Sequence, residues 1–186
     1  MKENRKAALD YIFRHEGGYA ERAEEGGGAV NMGVTFAVFQ AWRKLHGKPE
    51  PTWSDLKAME RVEAEEIYGA QYLDPIHFDE LPAGIDYCVL DAAILGGVTG
   101  AIKVLQTALK HEPVDGHFGL RTRWAARHRD VPKLIEAFCE ARIAKYRLFR
   151  TWKKVANLKT GKTWGAIWSE RINTVRERAL KMAEAK

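Results

Sequence analysis

The chain has 186 residues, 46% of them apolar, and its 30 Lys and Arg against 25 Asp and Glu give a net charge of +5. A chain of this length and balance can bury a sizeable core as one domain without help from metal ions or disulfides. No stretch approaches the roughly 20 apolar residues of a membrane span, and no apolar run follows the basic Lys2, Arg5 and Lys6 as it does in a secretory signal.

The first predicted element is a helix from Asn4 to Glu16, with Ala7, Ala8, Tyr11 and Ile12 spaced to bury one face. Gly17 supplies the left-handed residue that commonly closes such a helix. Glu16 therefore stands in the last turn, where the negative end of the helix dipole disfavours its charged form, and enclosure in a cleft acts in the same direction. Both effects suit a general acid, which must hold its proton near neutral pH. The alternative is a solvent-exposed Glu at a helix end.

Five glycines between Gly17 and Gly28, and Gly33 beyond them, predict a loop or small hairpin over residues 19–34 that brings Glu21, Glu24 and Glu25 near Glu16. Two carboxylates across a cleft are the requirement of glycoside hydrolysis, standing roughly 6.5–9.5 Å apart when the mechanism inverts. A solvated acidic loop is the competing reading.

Successive helices follow. Thr35 caps Phe36 to His46, stopped by Gly47, and Thr52 or Ser54 caps one long helix through Leu56, Met59, Val62, Ile67 and Tyr68. Pro82 opens Ala83 to Leu95, ended by Gly96 and Gly97, and Thr99 begins a helix holding Ile102, Leu105 and Leu109. Pro113 to Gly119 turns the chain, Asp130 and Pro132 start a helix running to about Phe149, and Trp164 to Ala183 forms the last. Nothing alternates with the period of a larger sheet. Cys88 and Cys139, the only cysteines, sit in apolar helical contexts that predict buried free thiols.

The motif from Glu16 through Gly17, Gly18, Tyr19, Gly27, Gly28, Asn31 and Gly33 to Thr35 resembles, without a gap, that of glycoside hydrolase family 108, the N-acetylmuramidases of phage endolysins and prophage-encoded lysozyme-like proteins. The resemblance continues through Ile67, Tyr68 and Tyr72, Leu81 and Pro82, Asp91 and Gly97, Leu105 and Gln106, Val114 to Gly116 with Gly119, and Trp168 with Arg171. It implies a mainly α, lysozyme-like fold: a single domain over 1–186, with 98–186 as its helical C-terminal part and the Gly-rich loop or β-hairpin beside the active-site cleft. It further implies a peptidoglycan hydrolase that cleaves between N-acetylmuramic acid and N-acetylglucosamine. Glu16 aligns with the general acid and Glu25 with the second acidic position, and the resemblance offers Tyr19, Asn31, Thr35, Asp91 and Gln106 as substrate-binding residues. Glu21 and Glu24 are alternative bases. The chain departs from the family pattern at Glu25, usually Asp, at Val30, usually Thr, and at Leu95, often Asn.

The partners expected are peptidoglycan glycan strands, with no cofactor. The six histidines show no metal-ligand spacing, so no metal is expected either. Residues 121–186 hold 18 basic and 6 acidic side chains, a face for anionic envelope polymers or a solvated surface, without a motif for specific nucleic-acid recognition. The turn at Asp115 and Gly116 reads as a helix connection or a carbohydrate contact, and Trp152, Trp164 and Trp168 as core or as sugar platforms. The product is expected in the cytoplasm, reaching the wall through a holin, lysis or a secretion system. A wall-binding or interaction protein that keeps the fold without hydrolysis is the alternative function.

Overall fold

The computed structural model describes residues 2–22, 28–157 and 160–185; the side chains of residues 2, 3, 15, 16, 21 and 22 lie outside that description. Helix α1 spans Lys2–Glu16, strands β1 Ala20–Arg22, β2 Gly28–Asn31 and β3 Val34–Thr35, and helices α2 Phe36–Leu45, α3 Trp53–Lys57 and α4 Arg61–Tyr68. Next come α5 Ile85–Gly96, α6 Val98–Leu109, α7 Leu120–Arg127, α8 Val131–Arg147 and α9 Trp164–Glu184. The architecture is mainly α, and contacts divide the chain into two compact units, residues 6–74 and residues 1–5 with 75–186.

In the unit of residues 6–74, the Gly-rich segment forms a three-stranded antiparallel sheet in chain order, pairing Ala20 with Val30 and Asn31 with Val34. Between β2 and β3 the turn residues Met32 and Gly33 both have positive φ, 47° and 77°, the signature of a tight type I′ hairpin. Thr35 caps α2 by accepting from the Val38 amide, as its position before an apolar run predicts.

The expected single helix from Thr52 to Tyr68 is two. Thr52 and Asp55 close a capping box at the start of α3, but α3 stops at Lys57 and α4 begins at Arg61. The cause lies far away in sequence: the buried Asn31 amide donates to the carbonyls of Leu56 at 2.8 Å and Lys57 at 3.3 Å. In an unbroken helix those two oxygens accept from the next turn. Val62, expected in the core, is 63% exposed as a result of the new phase. A π-helical turn over Gly69–Leu73 extends α4, another feature absent from the sequence reading.

The unit of residues 1–5 and 75–186 is built around α5, where Ile85 to Ala93 are buried without a break. A helix buried on all sides carries no amphipathic stripe, only a continuous apolar run. It starts two residues later than the sequence predicts, after Gly84, and the Asp86 carboxylate accepts from the backbone amides of Gly84 and Tyr87 at 2.8 and 2.7 Å. Gly84, at φ 91°, admits no side chain: a Cβ there stands 2.4 Å from the Ala179 carbonyl oxygen of α9. Asp130 caps α8 and Thr163 caps α9. Helix α7 was not foreseen from the sequence; its inward residues are Thr122 and Ala126, too small and polar to mark a core face.

Cys88 and Cys139 are buried free thiols, as expected. The hydrogen bond to Cys139, together with burial, holds the Cys88 thiol well above the usual range. No helix of the described residues is long and apolar enough to cross a membrane.

Candidate active site

The site expected from the sequence centres on the junction of α1 with the small sheet. Glu16 is the last residue of α1, and Gly17 follows with φ 74°, the left-handed closure that ends the helix there. The Glu16 side chain lies outside the described residues, as do Glu24, Glu25 and the side chain of Glu21. What the structure describes is the scaffold that carries them.

Two sets of contacts fix that scaffold. On α1, Asp10 pairs with Arg61 at the start of α4, and hydrogen bonds from Arg61 and Lys6 hold its carboxyl below the ordinary range. The Arg61 guanidinium also lies 5.3 Å from the centre of the Phe13 ring. Phe13, three residues before Glu16, meets the buried Tyr68 ring edge-on at 5.0 Å. The Tyr68 hydroxyl donates to the Met32 carbonyl at 3.3 Å, so one α4 side chain supports both the last turns of α1 and the β2–β3 turn. Tyr72 packs beside Tyr68 at 5.4 Å.

The second set joins the sheet to α3. Asn31 is buried and spends its amide hydrogens on Leu56 and Lys57, which makes it an anchor of β2. Tyr19 is half-buried, with the Lys57 ammonium 5.5 Å from its ring centre. Tyr19 and Asn31 thus converge on the end of α3. Ala29 and Asn31 face inward on β2 while Val30, on the opposite face, is half-buried. Thr35 is exposed and serves as the α2 cap.

Asp91 and Gln106 lie in the other unit, in buried networks. Asp91 is 1% exposed and accepts from Arg142 at 2.7 Å and from Arg171 at 2.9 Å. Burial pushes its carboxyl up, but the Arg142 and Arg171 guanidiniums outweigh this and leave it below the usual range. Gln106 donates to the Asp115 carboxylate at 2.7 Å and accepts from the Gly116 amide at 2.8 Å, pinning the turn from Val114 to Gly119 onto α6. Their placement gives both residues a structural role, and gives the turn at Asp115 the role of a helix connection. Trp168 packs against Tyr146, Phe149, Trp152 and Trp164, while Phe149 and Trp164 keep part of their surface exposed.

The anchoring role of Asn31 and the bridging hydroxyl of Tyr68 are not visible in the sequence. Neither leaves a local signal, because each acts on a segment more than 20 residues away. Among the described residues no group of three or more His, Cys, Asp or Glu side chains is placed to hold a metal ion.

Residues 9–97 match the family described as Glycosyl hydrolase 108. The chain is also similar to a solved structure, SagA of Brucella abortus, with 32% identity, a TM-score of 0.78, and coverage of 98% of this chain and 97% of that one. No curated protein matches.

Proposed function

We propose that this chain, which belongs to glycosyl hydrolase family 108, is a lysozyme-like N-acetylmuramidase that cleaves peptidoglycan between N-acetylmuramic acid and N-acetylglucosamine. At the family level it is a glycoside hydrolase, and the family is a peptidoglycan-lytic one. The observation that carries the finer reading is the run from Glu16 to Thr35: it lies inside the matched residues 9–97 and occupies the helix end, the left-handed glycine and the hairpin in one continuous piece.

In this reading Glu16 is the general acid. A carboxyl at the C-terminal end of α1 feels the negative end of the helix dipole, which favours retention of the proton that the glycosidic oxygen must receive. Glu25, which stands between β1 and β2 in the chain, assists a water that attacks the sugar carbon from the opposite face. Proton and water then balance: the acid gives its proton to the leaving oxygen, and the base takes one from the water. Tyr19 and Thr35 flank this stretch as sugar contacts, and Asn31 contributes indirectly by fixing β2.

Digestion of purified peptidoglycan, followed by borohydride reduction and mass spectrometry, tests the bond: muramitol at the new reducing ends supports the reading, whereas glucosaminitol contradicts it. For the base, Glu25→Gln is expected to lower turnover by about 100-fold or more. Full activity in that variant eliminates the Glu25 assignment and leaves Glu21 or Glu24. A protein that pellets with walls without releasing reducing ends is the outcome that favours a non-hydrolytic binder.

A further inference from the structure

Helix α7 presents an unusual outward face. Thr122 and Ala126 point inward and are buried, while Leu120 and Trp124, one turn apart, are 74% and 65% exposed. Arg127 continues the same face one turn further on. Leu120 and Trp124 line a groove of about 640 Å³ together with His111, Arg121, Arg127 and His128. Past His128 a second groove of about 400 Å³ runs on beside Lys110, Arg129 and Lys133. The two grooves bring together six Lys or Arg residues and two acids, Glu112 and Asp130.

Some of that positive charge is already used. Arg123 pairs with Glu80, and Arg127 donates its Nε to the Glu80 carbonyl at 2.9 Å. Arg129 gives one Nη to the Leu109 carbonyl at 3.1 Å, and Lys133 stands 3.8 Å from Asp130. Arg121 has no ion-pair partner among the described residues. One face of the Trp124 indole stacks on His128, ring centres 4.3 Å apart, and its remaining surface is open.

We propose that the α7 grooves form a docking surface for a bilayer containing anionic phospholipid. The occupant is chosen by two complementarities at once. A soluble polyanion neutralises the cations but leaves Leu120 and Trp124 in water; a neutral apolar peptide covers Leu120 and Trp124 but strips water from uncompensated guanidiniums. An anionic amphiphile satisfies both, with phosphates on Arg121 and Arg127 and the Leu120 and Trp124 side chains at the boundary between headgroups and acyl chains. Trp is suited to that boundary because its ring is apolar and its N–H polar. Apolar insertion and charge act together, which is how a surface without a spanning helix holds a membrane.

Co-sedimentation of the full chain with vesicles of equimolar phosphatidylcholine and phosphatidylglycerol, against pure phosphatidylcholine, tests the proposal. Binding to the mixed vesicles is expected to exceed binding to the neutral ones by about tenfold or more and to weaken with salt. Leu120→Ser with Trp124→Ser, and separately Arg121→Glu, are each expected to reduce it about fivefold to tenfold, with melting temperatures unchanged. Equal or absent binding to the two vesicle types overturns the proposal. So does a Leu120→Ser, Trp124→Ser protein that binds as the wild type does while Arg121→Glu weakens both vesicle and duplex DNA binding, which assigns the groove to polyanions in general. None of these readouts is hydrolysis, so the result stands whether or not the chain cleaves glycan.

Discussion

Asn31 is a motif residue with work inside the fold. Its two donated hydrogen bonds end α3 and fasten β2, the strand that leads out of the acidic loop. Replacing it with Ala takes a donor from the Lys57 carbonyl and leaves the Leu56 carbonyl with the Met59 amide alone, and Asn31→Ala is expected to lose about 1–3 kcal/mol in urea denaturation. Met32 poses the opposite case. A methionine at φ 47° is strained, and its turn partner Gly33 already meets the backbone requirement of the hairpin. Asn tolerates the left-handed region better, so Met32→Asn is expected to gain about 0.5–1 kcal/mol by the same measurement, with the Tyr68 bond to the residue-32 carbonyl kept. The sequence made both residues visible as parts of a motif. Their jobs were hidden because a cap supplied by a strand 25 residues away has no local pattern.

Among elements, those that signal themselves locally were legible. Thr35, Asp130 and Thr163 cap the helices that begin beside them, and Gly17, Gly47 and Gly97 take positive φ at or just past helix ends. The split of α3 from α4 was illegible because the periodicity runs through it and only Asn31 interrupts. Helix α7 escaped for a related reason: its large apolar residues face outward and its small ones inward, the inverse of the usual pattern. Helix α5 depends on two close constraints. At Gly84 a Cβ collides with the α9 backbone, and Gly84→Ala is expected to lower the melting temperature by several degrees, roughly the effect of 1–3 kcal/mol in a chain of this size. Asp91 binds α5 to Arg142 of α8 and Arg171 of α9. Because its folded-state carboxyl is depressed, its contribution is fully present above the ordinary carboxylate range and is lost as pH falls through the lower folded value. Asp91→Asn leaves two guanidiniums uncompensated, one fully buried, and is expected to cost about 3–5 kcal/mol near neutral pH, with a flatter acid limb in pH-dependent denaturation.

For the whole molecule, the mainly α class and the small sheet beside α1 followed from glycine placement and helical spacing, while the family followed from the motif at Glu16 and is shown by the relative that spans nearly the full chain. Residues 75–97 belonging with the C-terminal helices was not foreseen, since α5 reads as a separate apolar run until α6, α8 and α9 surround it. Asp91 and Gln106 entered the candidate site through resemblance alone, and burial in the second unit gives them work within the fold. In the proposed reading the chemistry rests on Glu16, at the end of α1, and on Glu25, which precedes β2 in the chain. Clearing of purified peptidoglycan by Glu16→Gln measures this most directly. A loss of about 100-fold or more is expected, at an unchanged melting temperature, because the glutamine keeps the shape but has no proton to give. A Glu16→Gln protein that clears peptidoglycan as fast as the wild type contradicts it.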